Sequence, residues 1–154
     1  MKKGDNKLTH IRDDGSAAMV DVSDKSVSKR EAIAIGAIQL QSATIAAITD
    51  QNVPKGDVLA VARIAGIQAA KKTADLIPLC HQLPLSKVEV DFTIKDAEIQ
   101  IRCLAKTEAK TGVEMEALTG VSVAALTIYD MCKAIDKKMV IREVILEKKT
   151  KQSV

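Results

Sequence analysis

The chain has no tryptophan, and Phe92 and Tyr129 are its only other large aromatic residues. Binding of single-stranded nucleic acid leans on aromatic stacking platforms, which this sequence can scarcely build, so no nucleic-acid partner is expected. Charge of one sign is also scarce. Lys and Arg number 23 against 20 Asp and Glu, a formal net charge of +3, which suits a small anionic ligand better than a long polyanion. No apolar run approaches the length of a membrane helix and no signal-peptide pattern is present, so a cytoplasmic location without a membrane partner is expected. The three cysteines, Cys80, Cys103 and Cys132, are odd in number and widely spaced, which matches neither a disulfide framework nor a zinc signature. Neither a P-loop nor a dinucleotide-binding glycine fingerprint occurs.

What is present suits one globular domain. The 154 residues are 47% hydrophobic and 28% charged, enough for a sizeable core. Residues 1–15 are polar and aperiodic and predict a flexible arm, 16–147 a single domain, and 148–154 a polar tail. Met19 to Val22 reads as a short extended segment. Ser28-Lys29-Arg30-Glu31 has the form of a capping box, and the apolar run behind it predicts a helix over Ala32 to Ile48. Asp57 is an N-cap for a second helix reaching about Lys72. A glycine inside that helix costs about 1 kcal/mol against alanine, so Gly66 implies that another backbone comes close. Val88 to Ile94 and Glu98 to Ala105 alternate as an antiparallel hairpin does. A long helix from Glu114 to about Ile135 and a strand from Met139 to Leu146 follow. This order of elements gives an α+β fold, an antiparallel sheet covered by helices on one face.

On the long helix, Leu118, Val121, Ala125, Ile128, Cys132 and Ile135 form a core stripe. Glu116, Thr119, Asp130, Lys133 and Lys137 fall near the opposite face, interrupted by Val123 and Leu126. Apolar residues nearly all round predict burial on both sides, and hence an oligomer. Asp130 and Lys133, three apart, are neighbours on the helix surface. They read either as an ordinary ion pair or as an acid/base pair whose lysine is desolvated and lowered in pKa. Lys55-Gly56-Asp57 opens a helix, which reads as a plain cap or as a place where an anion is favoured. His81 lies with Cys80 on an apolar connector between Pro78 and Pro84, and no second ligand pair with matching spacing turns these two into a metal site. From the residues alone the reading ends at a small-anion-handling α+β oligomer.

Several strings then stand together in one order: "MVDVS" from Met19, "KGDV" from Lys55, "ARIAGIQAAKKT" from Ala62, "DLIPLCH" from Asp75, "LSKVEV" from Leu85, "KTGVEMEALTG" from Lys110 and "AALTIYDMCKA" from Ala124. With them the chain resembles the cyclic pyranopterin monophosphate synthase (MoaC) family of molybdenum cofactor biosynthesis. That resemblance implies a ferredoxin-like α+β fold in a homohexamer, a trimer of dimers, with active sites at the dimer interface. It implies a lyase acting on a cyclised dihydroguanosine triphosphate handed on by an upstream radical enzyme. The product is cyclic pyranopterin phosphate, with diphosphate released. No cofactor or dedicated metal is implied, although Mg2+ can accompany the triphosphate. By the same resemblance Asp130, Lys133 and Lys55 are catalytic. Leu79, Cys80, His81, Met115 and Glu116 line the substrate pocket, with Glu114, Lys71, Arg30 and Asp21 as further contacts. The family's glycine-rich tail is missing. The chain ends LEKKTKQSV, which leaves Lys149 or Lys151 to stand in for the tail's lysine on an end expected to be disordered without ligand.

Overall fold

The run from Ser28 to Gln39 is a strand, β1, and not the helix that its capping-box pattern predicted. The physical reason is its place in the sheet. The computed structural model describes Ile11, Arg12 and residues 14–154, and in it β1 is paired along both edges and residues on both of its faces are buried. Ala32, Ile33, Ala34, Ala37 and Ile38 are all buried. A strand covered on both faces shows no alternation, and its Ala and Ile run looks like a helix core. Helix begins only at α1 (Ser42–Thr49).

The remaining elements are α2 (Val58–Lys71), a single turn α3 (Thr73–Leu76), β2 (Leu85–Ile94), β3 (Glu98–Ala109), α4 (Glu114–Cys132) and β4 (Val140–Ser153). The four strands lie in the order β2-β3-β1-β4 with every pairing antiparallel. This is the ferredoxin-like arrangement, with α2 and α4 on one face. The core between the layers holds Val90, Ile99, Ile101 and Cys103 from the sheet against Ala117, Val121, Ala124 and Ile128 of α4. Of the expected core stripe, Ile135 falls beyond the helix and is exposed.

Asp57 caps α2 as expected, its carboxylate accepting from the Ala60 N–H at 3.0 Å. Gly66 explains itself: a Cβ there would stand 2.8 Å from the Gly120 carbonyl oxygen of α4. The two helices therefore touch backbone to backbone. They run in opposite directions, so the loop before α2 lies at the C-terminal end of α4.

The expected arm falls mostly on residues 1–10 and Asp13, outside the described residues; Ile11 and Ala17 form an isolated bridge around a turn. The expected tail is corrected. β4 continues past Leu146 to Ser153, pairing Lys149 with Ala32, Lys151 with Arg30 and Ser153 with Ser28. Its polar sequence reflects an edge strand, where charged side chains also discourage pairing with other chains. Truncation after Leu146 should strip this ladder and lower stability by about 1–2 kcal/mol, read as an earlier urea midpoint. An unchanged midpoint would show that the segment adds nothing to the fold.

Candidate functional site

The C-terminal end of α4 gathers three charged groups from two distant parts of the chain. Asp130 takes Lys133 on one oxygen, Nζ to Oδ1 2.7 Å, and Lys55 on the other, Nζ to Oδ2 2.8 Å. Lys55 also donates to the Asp130 backbone carbonyl at 3.1 Å, one of the carbonyls a helix end leaves unpaired. Lys55 arrives here because the loop between α1 and α2 turns at Gly56, whose φ of 96° suits glycine. Hydrogen bonds from Lys133, and next from Lys55, hold the Asp130 carboxyl at about 2. The same bond raises the Lys133 ammonium. A desolvated lysine of lowered pKa is thus not what the geometry gives, because the Lys133 side chain is 56% exposed. The triad offers two protonated amines, held in place by one carboxylate and open to an incoming anion.

The other end of α4 carries a cavity of about 560 Å³, lined by Leu79, Cys80, His81, Met115 and Glu116 together with Thr111 and Gly112. All five residues implied for the substrate pocket meet here. The proline-bounded connector from Ile77 supplies one wall and the first turn of α4 the other. Glu116 corrects its helical-wheel placement on a polar face: it is only 4% exposed. Burial raises its carboxyl, its own backbone N–H opposes that, and neighbouring Glu114 adds to it. Burial, with help from Glu116, also raises the Cys80 thiol, which keeps it from being a ready nucleophile.

Two smaller cavities adjoin this one. Arg30 and Glu114 share a space of about 290 Å³ with Lys149, Lys151 and Gly112, and Lys149 pairs with Glu114 at 3.3 Å. Asp21 lines a space of about 390 Å³ with His81 and Lys110. Lys71 is exposed in the last turn of α2 and lines none of the three. Sequence reasoning assigned no role to Lys110, Thr111 or Gly112. The signal was available, since a Lys-Thr-Gly run stands directly before a helix N-terminus. Among the described residues no three His, Cys, Asp or Glu side chains converge as a metal site, and no helix is long and apolar enough to cross a membrane.

The candidate residues therefore divide between two places. Glu116 and Asp130 are fourteen positions apart on one straight helix, about 21 Å at the usual rise per residue.

Comparison with known proteins agrees with the strings in the sequence. Residues 19–152 match the family model described as the MoaC family. A Chloroflexus aurantiacus protein named cyclic pyranopterin monophosphate synthase is 56% identical over 148 residues, 95% of this chain and 91% of the relative. Proteins of the same name from Thermoanaerobacter sp. and Peptoclostridium acidaminophilum are 54% identical over 145 residues and 53% over 144. These cover 93% and 94% of this chain, and 92% of each relative. The matched span takes in both ends of α4 and nearly all of β4, and the chain belongs to the MoaC family.

Proposed function

We propose that this chain is a cyclic pyranopterin monophosphate synthase, a phosphorus–oxygen lyase of the cytoplasm. It would convert a cyclised dihydroguanosine triphosphate, supplied by an upstream radical enzyme, into cyclic pyranopterin phosphate and diphosphate. The observation that carries this reading is Asp130 holding Lys55 and Lys133 together beside open solvent. Forming a cyclic phosphate with loss of diphosphate builds negative charge on the leaving group, which fixed cations stabilise. Rearranging a purine-derived ring needs protons delivered and removed, which ammonium and carboxylate groups supply. The cavity at the other end suits the ring itself. It is mostly apolar, with Glu116 and His81 as the polar groups that fix orientation.

One substrate cannot reach both ends of α4 in a single copy, so the working site takes one end from each of two copies. Val61 and Ile64 on α2 and Leu126 and Tyr129 on α4 are exposed, an apolar surface a second copy would cover. A homohexamer of three such dimers completes the reading. Mg2+ enters only as a companion of the triphosphate.

The test supplies the cyclised triphosphate and follows diphosphate release, with GTP as control. Turnover of the first and not of the second is expected. Turnover of GTP alone would make the chain a nucleotide hydrolase, and binding without turnover a ligand-binding module. The shared site is tested by mixing a His81→Ala variant with a Lys133→Ala variant. Each should be inactive alone and the mixture active, since some dimers then carry one intact site; a mixture that stays inactive despite subunit exchange would place the whole site in one copy.

A further inference from the structure

The segment Met19–Ser23 crosses the site without belonging to the sheet. Among the described residues no backbone hydrogen bond joins it to the body; its one backbone bond, Lys25 N–H to the Val22 carbonyl, is local. Two side chains tether it instead. His81 Nε2 lies 2.7 Å from the Val20 carbonyl oxygen, and Lys110 Nζ donates to the Ser23 carbonyl at 2.6 Å. Between these points Asp21 accepts from the Ser23 N–H at 2.8 Å and from its hydroxyl at 2.6 Å, which stiffens the turn.

A carbonyl oxygen can only accept, so the His81 nitrogen facing it must carry a proton. When the imidazole is neutral, its lone pair is then on Nδ1, and Nδ1 has no partner among the described residues. The ring stands between the 560 Å³ cavity and the smaller space under the strap, and lines both. A histidine acts by which nitrogen is bare, and the bond made by the other nitrogen decides that.

We infer that Met19–Ser23 is a strap that fixes the tautomer of His81, and that Lys110 is the positioning residue that keeps the strap in place. Lys110 acts through the Ser23 carbonyl and through His81. The strap thus sets the state of a substrate-pocket group without touching the Asp130 triad of its own chain, which lies at the far end of α4. The effect on turnover rests on the function proposed above; the tautomer does not.

The chain has only two histidines, His10 and His81, so a His10→Gln background gives one imidazole to follow by nitrogen NMR without substrate. The expected spectrum at neutral-ring pH is a single species, protonated on Nε2, with a slowly exchanging ring proton. A ring protonated on Nδ1, or an averaged pair of tautomers, would overturn the inference. Lys110→Met in that background should raise amide exchange at Val20 to Ser23 at least tenfold and move His81 towards the free imidazole mixture. Lys110→Arg, which keeps a donor, should restore both. Unchanged exchange and tautomer in Lys110→Met would remove Lys110 from the role. With the cyclised triphosphate, Lys110→Met should lower kcat more than it raises KM. If kcat is unchanged while the tautomer moves, the strap does not serve catalysis. If no variant or wild type turns over at all, the function reading fails while the NMR result stands by itself.

Discussion

Lys133→Ala and Lys55→Ala should each lower diphosphate release by about 10²–10⁴-fold, the usual worth of a positioned proton donor or charge stabiliser, without a measurable shift in the unfolding midpoint. The first expectation follows from geometry, since each amine is held within 2.8 Å of the same carboxylate. The second follows from exposure: the two lysine side chains are 47% and 56% exposed, and exposed ion pairs add little to stability. A separate readout tests the electrostatics. Both lysines depress Asp130, and Lys133 is the larger cause. Removing Lys133 should therefore move the Asp130 carboxyl further back towards the ordinary carboxylate range than removing Lys55 does, seen by carbon NMR of the side chain. With Asp130 at about 2 and Lys133 raised, this pair holds its charges through the neutral range. An inflection in rate between pH 5 and 8 would then belong to another group, and Glu116, whose carboxyl burial raises, is the candidate. Near-normal product formation in either alanine variant would end the assignment of these amines to the reaction.

How much of this was legible depended on whether a residue's neighbours were local. The hairpin of β2 and β3, the cap at Asp57 and the start of α4 were readable, because alternation and capping are local signals. Gly66 was readable too, as the mark of a close backbone. β1 was not, because Ser28 to Glu31 imitates a helix start and the strand is covered on both faces. Its one warning was Gly36, where a Cβ would stand 2.6 Å from a Val121 methyl; a glycine inside an apolar run can mark such a close approach in a strand. The end of β4 was unreadable for the opposite reason, since an exposed edge strand of Lys, Thr and Gln carries no apolar pattern at all.

The site divided in the same way. The identities of Asp130, Lys133 and Lys55 came from the family resemblance, and the Asp130–Lys133 spacing from the helix period. That Lys55 closes on the same carboxylate across 75 positions of sequence is a tertiary fact. The burial of Glu116 is another. The helical wheel put it towards solvent, but it is buried, and it lines one cavity with residues of the connector from Ile77 to Leu83.

The largest expected effect on stability comes from Asp136, which sequence reasoning passed over. It lies just beyond α4 and is 1% exposed. One oxygen accepts from the Gln41 N–H at 2.9 Å and the Thr44 hydroxyl at 3.0 Å; the other accepts from the Gln41 side-chain amide and the Lys138 N–H, both at 2.9 Å. It thereby joins the start of α1 to the turn that leads into β4. Asp136→Ala would leave buried donors unpaired and should cost about 2–4 kcal/mol. Asp136→Asn should be nearly as harmful, because each oxygen faces a backbone N–H, so either flip of the amide sets an NH2 group against a donor. The pH dependence follows from the same bonds. Burial pushes the carboxyl up, but the Gln41, Lys138 and Thr44 donors outweigh it and leave it at about 2. A folded value below the unfolded one means that the stabilisation is full above pH 4 and is lost as pH falls towards 2, roughly 2 kcal/mol in all. Urea unfolding of wild type and Asp136→Asn at neutral pH and near pH 2 should therefore show a gap that shrinks in acid. A gap that stays constant would mean that the ionised carboxylate is not what ties α1 to the end of α4.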